Sequence, residues 1–247
     1  MKKLLTIALA LLVVFAVAGC AEETMDIGID RDSFGNSENN KNRDEDDARK
    51  AAENFMEALC EFNFKDMSKY STEDYTEIME CDDMYEYLDG TFSAEDLDLG
   101  IESDKVDDAV NDFVEVMVDG IVDNTEYEIT DTEKDGDAWK FTVEITSVDM
   151  DDVSASLESE ECNDAVVKAS EKYDDVDVEG MTGDEITAVM EDMVVDMFDA
   201  MGDFVYDYCE EAETVGGELE LYVIEEDGEW LVDIENSDMS AFEKMFE

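Results

Sequence analysis

The stretch 126-EYEITDTEKDGDAWKFTVEITSV-148 decides the fold class, because within it the apolar residues switch from helical spacing to a period of two. Trp139, Phe141, Val143 and Ile145 alternate with polar neighbours, and Asp135-Gly136 is a dipeptide that a tight hairpin turn prefers. The same device returns at 218-ELELYVIEEDGEWLVDIEN-236, where Asp227-Gly228 precedes Trp230, Val232 and Ile234. This predicts two hairpins built alike. Around them the period is helical. In 48-ARKAAENFMEALCEFNFKDM-67, Ala48, Ala52, Phe55, Leu59 and Phe62 mark one amphipathic opening helix. A short helix follows over Thr72 to Cys81, with Ser71 or Thr72 as its cap. Val106, Val110, Phe113, Met117 and Ile121 mark another, closing near Gly120. Residues 151–210 read as helical, with Ile186, Met190, Met193, Met197, Met201, Phe204 and Tyr208 on one stripe. A last short helix, capped near Ser237 or Asp238, carries Met239 and Phe242. Helices, hairpin, helices, hairpin, helix is an α+β order with antiparallel pairing.

The opening helix together with "DGDAWKFTVEI" and "DGEWLVDIEN" resembles the small exported lipoprotein domains of nuclear transport factor 2-like or cystatin-like type. The resemblance covers 48–90, 124–150 and 217–236, and it implies a curved antiparallel sheet wrapped on N-terminal helices, often with a cavity. The helical insertion at about 151–210 departs from the compact form. No functional residue carries over.

The N-terminus gives an address. Lys2 and Lys3 precede an uncharged, largely apolar run from Leu4 to Gly19, the layout of a secretory signal and too short for a comfortable membrane span, which takes about 20 apolar residues. Val17, Ala18, Gly19 and Cys20 resemble the lipobox of bacterial lipoproteins, which implies cleavage before Cys20 and acylation of its thiol, as by palmitate. The expected layout is a signal peptide at 1–19, a lipidated cysteine and flexible acidic tether at 20–47, and an α+β domain at 48–247. The expected place is the extracytoplasmic face of the cell membrane. A flexible tether of about 25 residues spans roughly 25–30 Å.

Fifteen basic against 74 acidic residues give a net charge of −59, and the acid is spread along the whole chain. Such a field disfavours nucleic acid, whose affinity comes from Lys and Arg on phosphates. It repels anionic lipid, so the membrane is a partner through the anchor alone. Two causes compete for the acidity, adaptation to salty or cation-rich surroundings and a cationic partner, and its spread along the whole chain favours the first. The remaining partners are a small or cationic ligand, held in a sheet–helix cavity, or a surface protein.

Histidine is absent, which removes Ser-His-Asp and Cys-His nucleophile systems and the proton shuttle near neutral pH. The expectation is a non-catalytic binding or interaction module without a cofactor. Its alternative is a carboxylate-based hydrolase acting on cell-wall or glycan material. After Cys20 an even count remains, Cys60, Cys81, Cys162 and Cys209, for which disulfides Cys60–Cys81 and Cys162–Cys209 are expected, with plain buried thiols as the competing reading. Asp131, Glu133, Asp135 and Gly136 imitate the start of a calcium loop, but Thr142 stands where a bidentate Glu belongs, so a hairpin turn is preferred and only weak divalent binding is expected. The methionines from Met190 to Met201 are expected to be core, at helical spacing.

Overall fold

The computed structural model describes residues 38–88 and 103–245, the side chains of 38–42 and of Glu243 excepted. The expected signal peptide, the expected cleavage box Val17–Cys20 and most of the expected tether lie outside the described residues. The fold is α+β, with one open antiparallel sheet ordered β1-β2-β3-β4. Strand β1 is Glu126–Asp135, β2 is Ala138–Val148, β3 is Thr214–Glu226 and β4 is Glu229–Asp238. The chain divides into two compact units.

The first unit takes residues 38–82, 127–145 and 216–245. Helix α1, Glu38–Cys60, begins inside the segment expected to be a tether, yet Ala48 is its first buried residue. From Arg43 to Asp47 this helix is polar and has no buried residue. The expected single helix over 48–67 is in fact two. Phe62 turns left-handed at φ 50°, and Asn63 caps helix α2, Phe64–Tyr70, by accepting from the Asp66 N–H at 2.9 Å. Helix α3 is only Tyr75–Met79 and is capped by Asp74, not by Ser71 or Thr72. Those two residues instead meet the sheet. Thr72 N–H donates to Val232 O at 2.9 Å, and Ser71 bridges Val232 in parallel, so this short segment covers the β4 edge.

Phe55, Met56, Phe141, Leu219, Leu221, Val223 and Val232 form the packed interior, α1 lying along β4. Toward the β1 edge, Arg49 of α1 donates to Thr132 Oγ1 at 2.6 Å and lies over the Phe141 ring. The hairpins differ in their turns. In β3–β4 both Asp227 (φ 52°) and Gly228 (φ 90°) are left-handed, the pattern of a type I′ turn. In β1–β2 the turn slides one residue to Gly136-Asp137 with a positive φ at Gly136 alone, the pattern of type II′. The calcium-loop resemblance thus dissolves into a strand end and a turn. Helix α9, Ser240–Met245, closes the unit, with Asp238 Oδ1 accepting from Ser240 N–H and Phe242 packed against Phe62.

The second unit takes residues 83–126 and 146–215. It holds α4 (Met84–Leu88), α5 (Asp104–Asp123), α6 (Met150–Ser156), α7 (Glu160–Ser170), a 3-10 turn (Glu171–Tyr173) and α8 (Gly183–Cys209). Helix α8 starts on a capping box, Thr182 with Glu185, and packs on α5. The expected end of α5 at Gly120 is corrected: the helix runs on to Asp123, and Gly120 sits inside it because α8 presses there. A Cβ on Gly120 would stand 3.1 Å from Cys209 Sγ.

Candidate interaction surface

The outward side of this helical unit is where the sequence expectation and the structure diverge most. Helix α8 buries Phe198, Met201, Gly202, Val205 and Cys209. At about 100° per residue, these positions centre roughly 100° away from the stripe of Ile186, Met190, Met193 and Met197. The packed face is set by small residues: Gly202 lies against Val116 and Phe113, Gly120 against Cys209, and the Phe113 and Phe198 rings meet at 5.9 Å. The methionine stripe expected as core is therefore core only at Met201, which is 7% exposed, whereas Met190 is 44% exposed. From Gly183 to Met197, α8 has no buried residue. Helix α7 buries Cys162 alone and leaves Val167 48% exposed. In the link between them Val178 is 51% exposed. Val167, Val178 and Met190 are thus left toward water, whereas Ile186, Met193 and Met197 are half-buried.

Helix α8 has acidic residues along its length and no basic one, and at about 100° per residue Asp192, Asp196 and Asp199 centre roughly 120° from the methionine stripe. Of the cations nearby, Lys172 pairs with Asp196 at 2.5 Å and Lys105 pairs with Asp192, while Lys168 stands exposed beside Val167 on α7. With so few ammonium groups, tyrosine hydroxyls supply donors instead. Tyr85 donates to Asp119 at 2.6 Å, Tyr206 to Asp123 at 2.6 Å, and Tyr173 to Asp196. The Lys172 and Tyr173 bonds hold Asp196 below the usual carboxylate range. One turn on, partial burial and then the carboxylates of Asp196, Asp112 and Asp203 hold Asp199 above it. These contacts fix where α8 lies on α5 and on the 3-10 turn.

The remaining expected site residues stand as follows. Cys60, Cys81, Cys162 and Cys209 are all buried and stand as free thiols, the competing reading to the Cys60–Cys81 and Cys162–Cys209 disulfides: the Cys81 thiol donates to Met79 O at 3.3 Å, and Cys209 Sγ packs toward Gly120. Burial, and secondarily Glu61, pushes the Cys60 thiol up to about 12, and burial pushes Cys209 up to about 11. Neither is a nucleophile at neutral pH. Among the described residues no three acidic or cysteine side chains converge as a metal site, and no helix is long and apolar enough to cross a membrane. Asp131, Glu133 and Asp135 lie on the exposed side of β1.

No protein-family profile and no curated protein matches the chain. Among solved structures it is similar to a chain from Bacillus subtilis (ycdA) described as a candidate lipoprotein, at 15% identity and a TM-score of 0.39. That likeness covers 80% of this chain and 53% of the other, so this chain spans about half its length.

Proposed function

We propose that the chain is a lipid-anchored, extracytoplasmic interaction module that works without catalysis and engages its partner through the outward face of α7 and α8. The observation that carries this is the exposure of Val167, Val178 and Met190, the large apolar side chains of this unit that stand most open to water among the described residues. Contiguous exposed apolar patches mark interaction sites, and in this reading these three positions belong to one. Cys20 is the anchor in this reading, and the sheet with its opening helix is taken as nuclear transport factor 2-like or cystatin-like, on the hairpins and on α1 lying along β4.

A photocrosslinking residue at position 190 or 167 of the full chain, expressed in its membrane, tests the surface. A discrete adduct at both positions, and none at exposed Glu57 on α1, is expected. The proposal falls if positions 190 and 167 give no more adduct than Glu57. A second reading, a carboxylate hydrolase, draws on the opposed shifts of Asp196 and Asp199. It requires turnover of wall or glycan fragments that Asp199→Asn abolishes.

A further inference from the structure

Trp139 lies two residues past the Gly136-Asp137 turn, on the face of β2 that carries Phe141, and it is only 7% exposed. Its indole Nε1–H is shut from water and has no hydrogen-bond partner. Native proteins rarely leave a buried donor unpaired, because its lost hydration is then not replaced. Two cations stand beside it. Lys134 of β1 holds its ammonium 4.9 Å from the centre of the Trp139 ring, and Arg49 of α1 holds its guanidinium carbon 5.6 Å from the centre of the Phe141 ring. Trp139 and Phe141 are two residues apart on one face of β2, so the cations lie over neighbouring side chains about 7 Å apart. Arg49 uses one N–H on Thr132 Oγ1 and keeps its others. Among the described residues neither Arg49 nor Lys134 pairs with a carboxylate, in a chain with 74 acidic residues to 15 basic ones. Strand β1, strand β2 and α1 thus each bring a donor to the same end of the hairpin.

We propose that this corner of the first unit is a binding site for a small monocarboxylate, held by Arg49 and Lys134 and by the Trp139 indole N–H. A carboxylate suits donors so spaced. Its two oxygens accept charge-assisted bonds of about 2.8 Å in opposite directions, which bridges cations about 7 Å apart. A set of donors excludes an ammonium ligand, and the ring faces are already taken by Lys134 and Arg49. The single charge follows from the whole molecule. At −59 the field repels an anion in proportion to its charge, so a dianion is opposed about twice as strongly as a carboxylate at the same donors. This site goes beyond the α7–α8 surface and does not rest on it.

The chain has 2 tryptophans, so its indole N–H groups give separate magnetic-resonance signals, which Trp230→Phe assigns. The full chain in neutral phosphatidylcholine nanodiscs is titrated with acetate and benzoate at constant ionic strength. Acetamide and benzamide serve as uncharged controls of the same shape, and sulfate as the dianion. Both carboxylates should move the Trp139 signal downfield and saturably while the Trp230 signal stays, and sulfate should bind more weakly. Lys134→Gln should weaken benzoate binding about tenfold or more without lowering the melting temperature, because Lys134 is exposed. No saturable movement with either acid overturns the site. Amides that move the signal as far as the acids overturn recognition of the charge, and with it the proposal. Benzoate binding that Lys134→Gln leaves unchanged takes the ammonium out of the site and overturns the proposal as well. Sulfate binding as tightly as acetate overturns the choice of a monoanion.

Discussion

Asp196 and Asp199 lie one turn apart on α8 and should answer pH in opposite senses. Asp196 titrates below its ordinary 3.8, so its bonds to Lys172 and Tyr173 add stability above that value and lose it as pH falls through the lowered one. Asp196→Asn should therefore melt lower than the parent at pH 7, with the gap closing in acid. Asp199 titrates above 3.8, so the folded state keeps a proton that the unfolded chain has released, and stability falls as pH rises through that window. Asp199→Asn should melt higher at pH 7 and match the parent below about pH 3.8. Melting curves of both variants across pH check the pair; equal signs would contradict the geometry. The cysteines make a second prediction at this scale. An aromatic disulfide reagent should react slowly with Cys60 and Cys209 in the folded chain and fully on unfolding, since burial holds both as thiols. Fast labelling of either in the folded state would contradict their placement.

At the scale of elements, the hairpins and the existence of the main helices were legible because period and turn chemistry agree there. The errors have physical causes. Apolar spacing runs through Phe62 unbroken, so the break between α1 and α2 is hidden; the Asn63 cap four residues before Met67 was the available signal. In α8 two apolar stripes compete, and a pattern that weighs hydrophobicity alone picks the bulkier. The structure buries the other, since Gly120, Gly202 and Cys209 let two helices approach where large side chains would hold them apart. Gly120 looked like a helix stop for the same reason: its role lies in contact across space, which spacing along the chain does not carry. The consequence is measurable. Phe198→Ala should cost about 3–5 kcal/mol by opening a void against Phe113, whereas Met190→Ala should change stability by about 0.5 kcal/mol or less. The reverse order in denaturant titrations would restore the methionine stripe to the core.

For the whole molecule the dominant quantity is charge. At −59, self-repulsion opposes the folded state wherever salt does not screen it. Raising sodium chloride from about 0.01 M to about 0.15 M shortens the screening length from about 30 Å to about 8 Å and should raise the melting temperature. Calcium at matched ionic strength should add little beyond sodium if binding is diffuse; a large extra rise would assign a divalent site. The acidity was plain in the sequence. Which face is left for a partner was not, because exposure of Met190 depends on how α8 is rotated on α5.

The most direct measurement is methionine oxidation footprinting by mass spectrometry, run on the full chain in neutral nanodiscs and on the same chain in intact cells. In nanodiscs Met190 should oxidise fast and buried Met56 and Met117 slowly. In cells Met190 should become protected while the other two stay slow. Met190 as slow as Met56 in nanodiscs would place the stripe in the core, and Met190 equally fast in both settings would mean that nothing docks there.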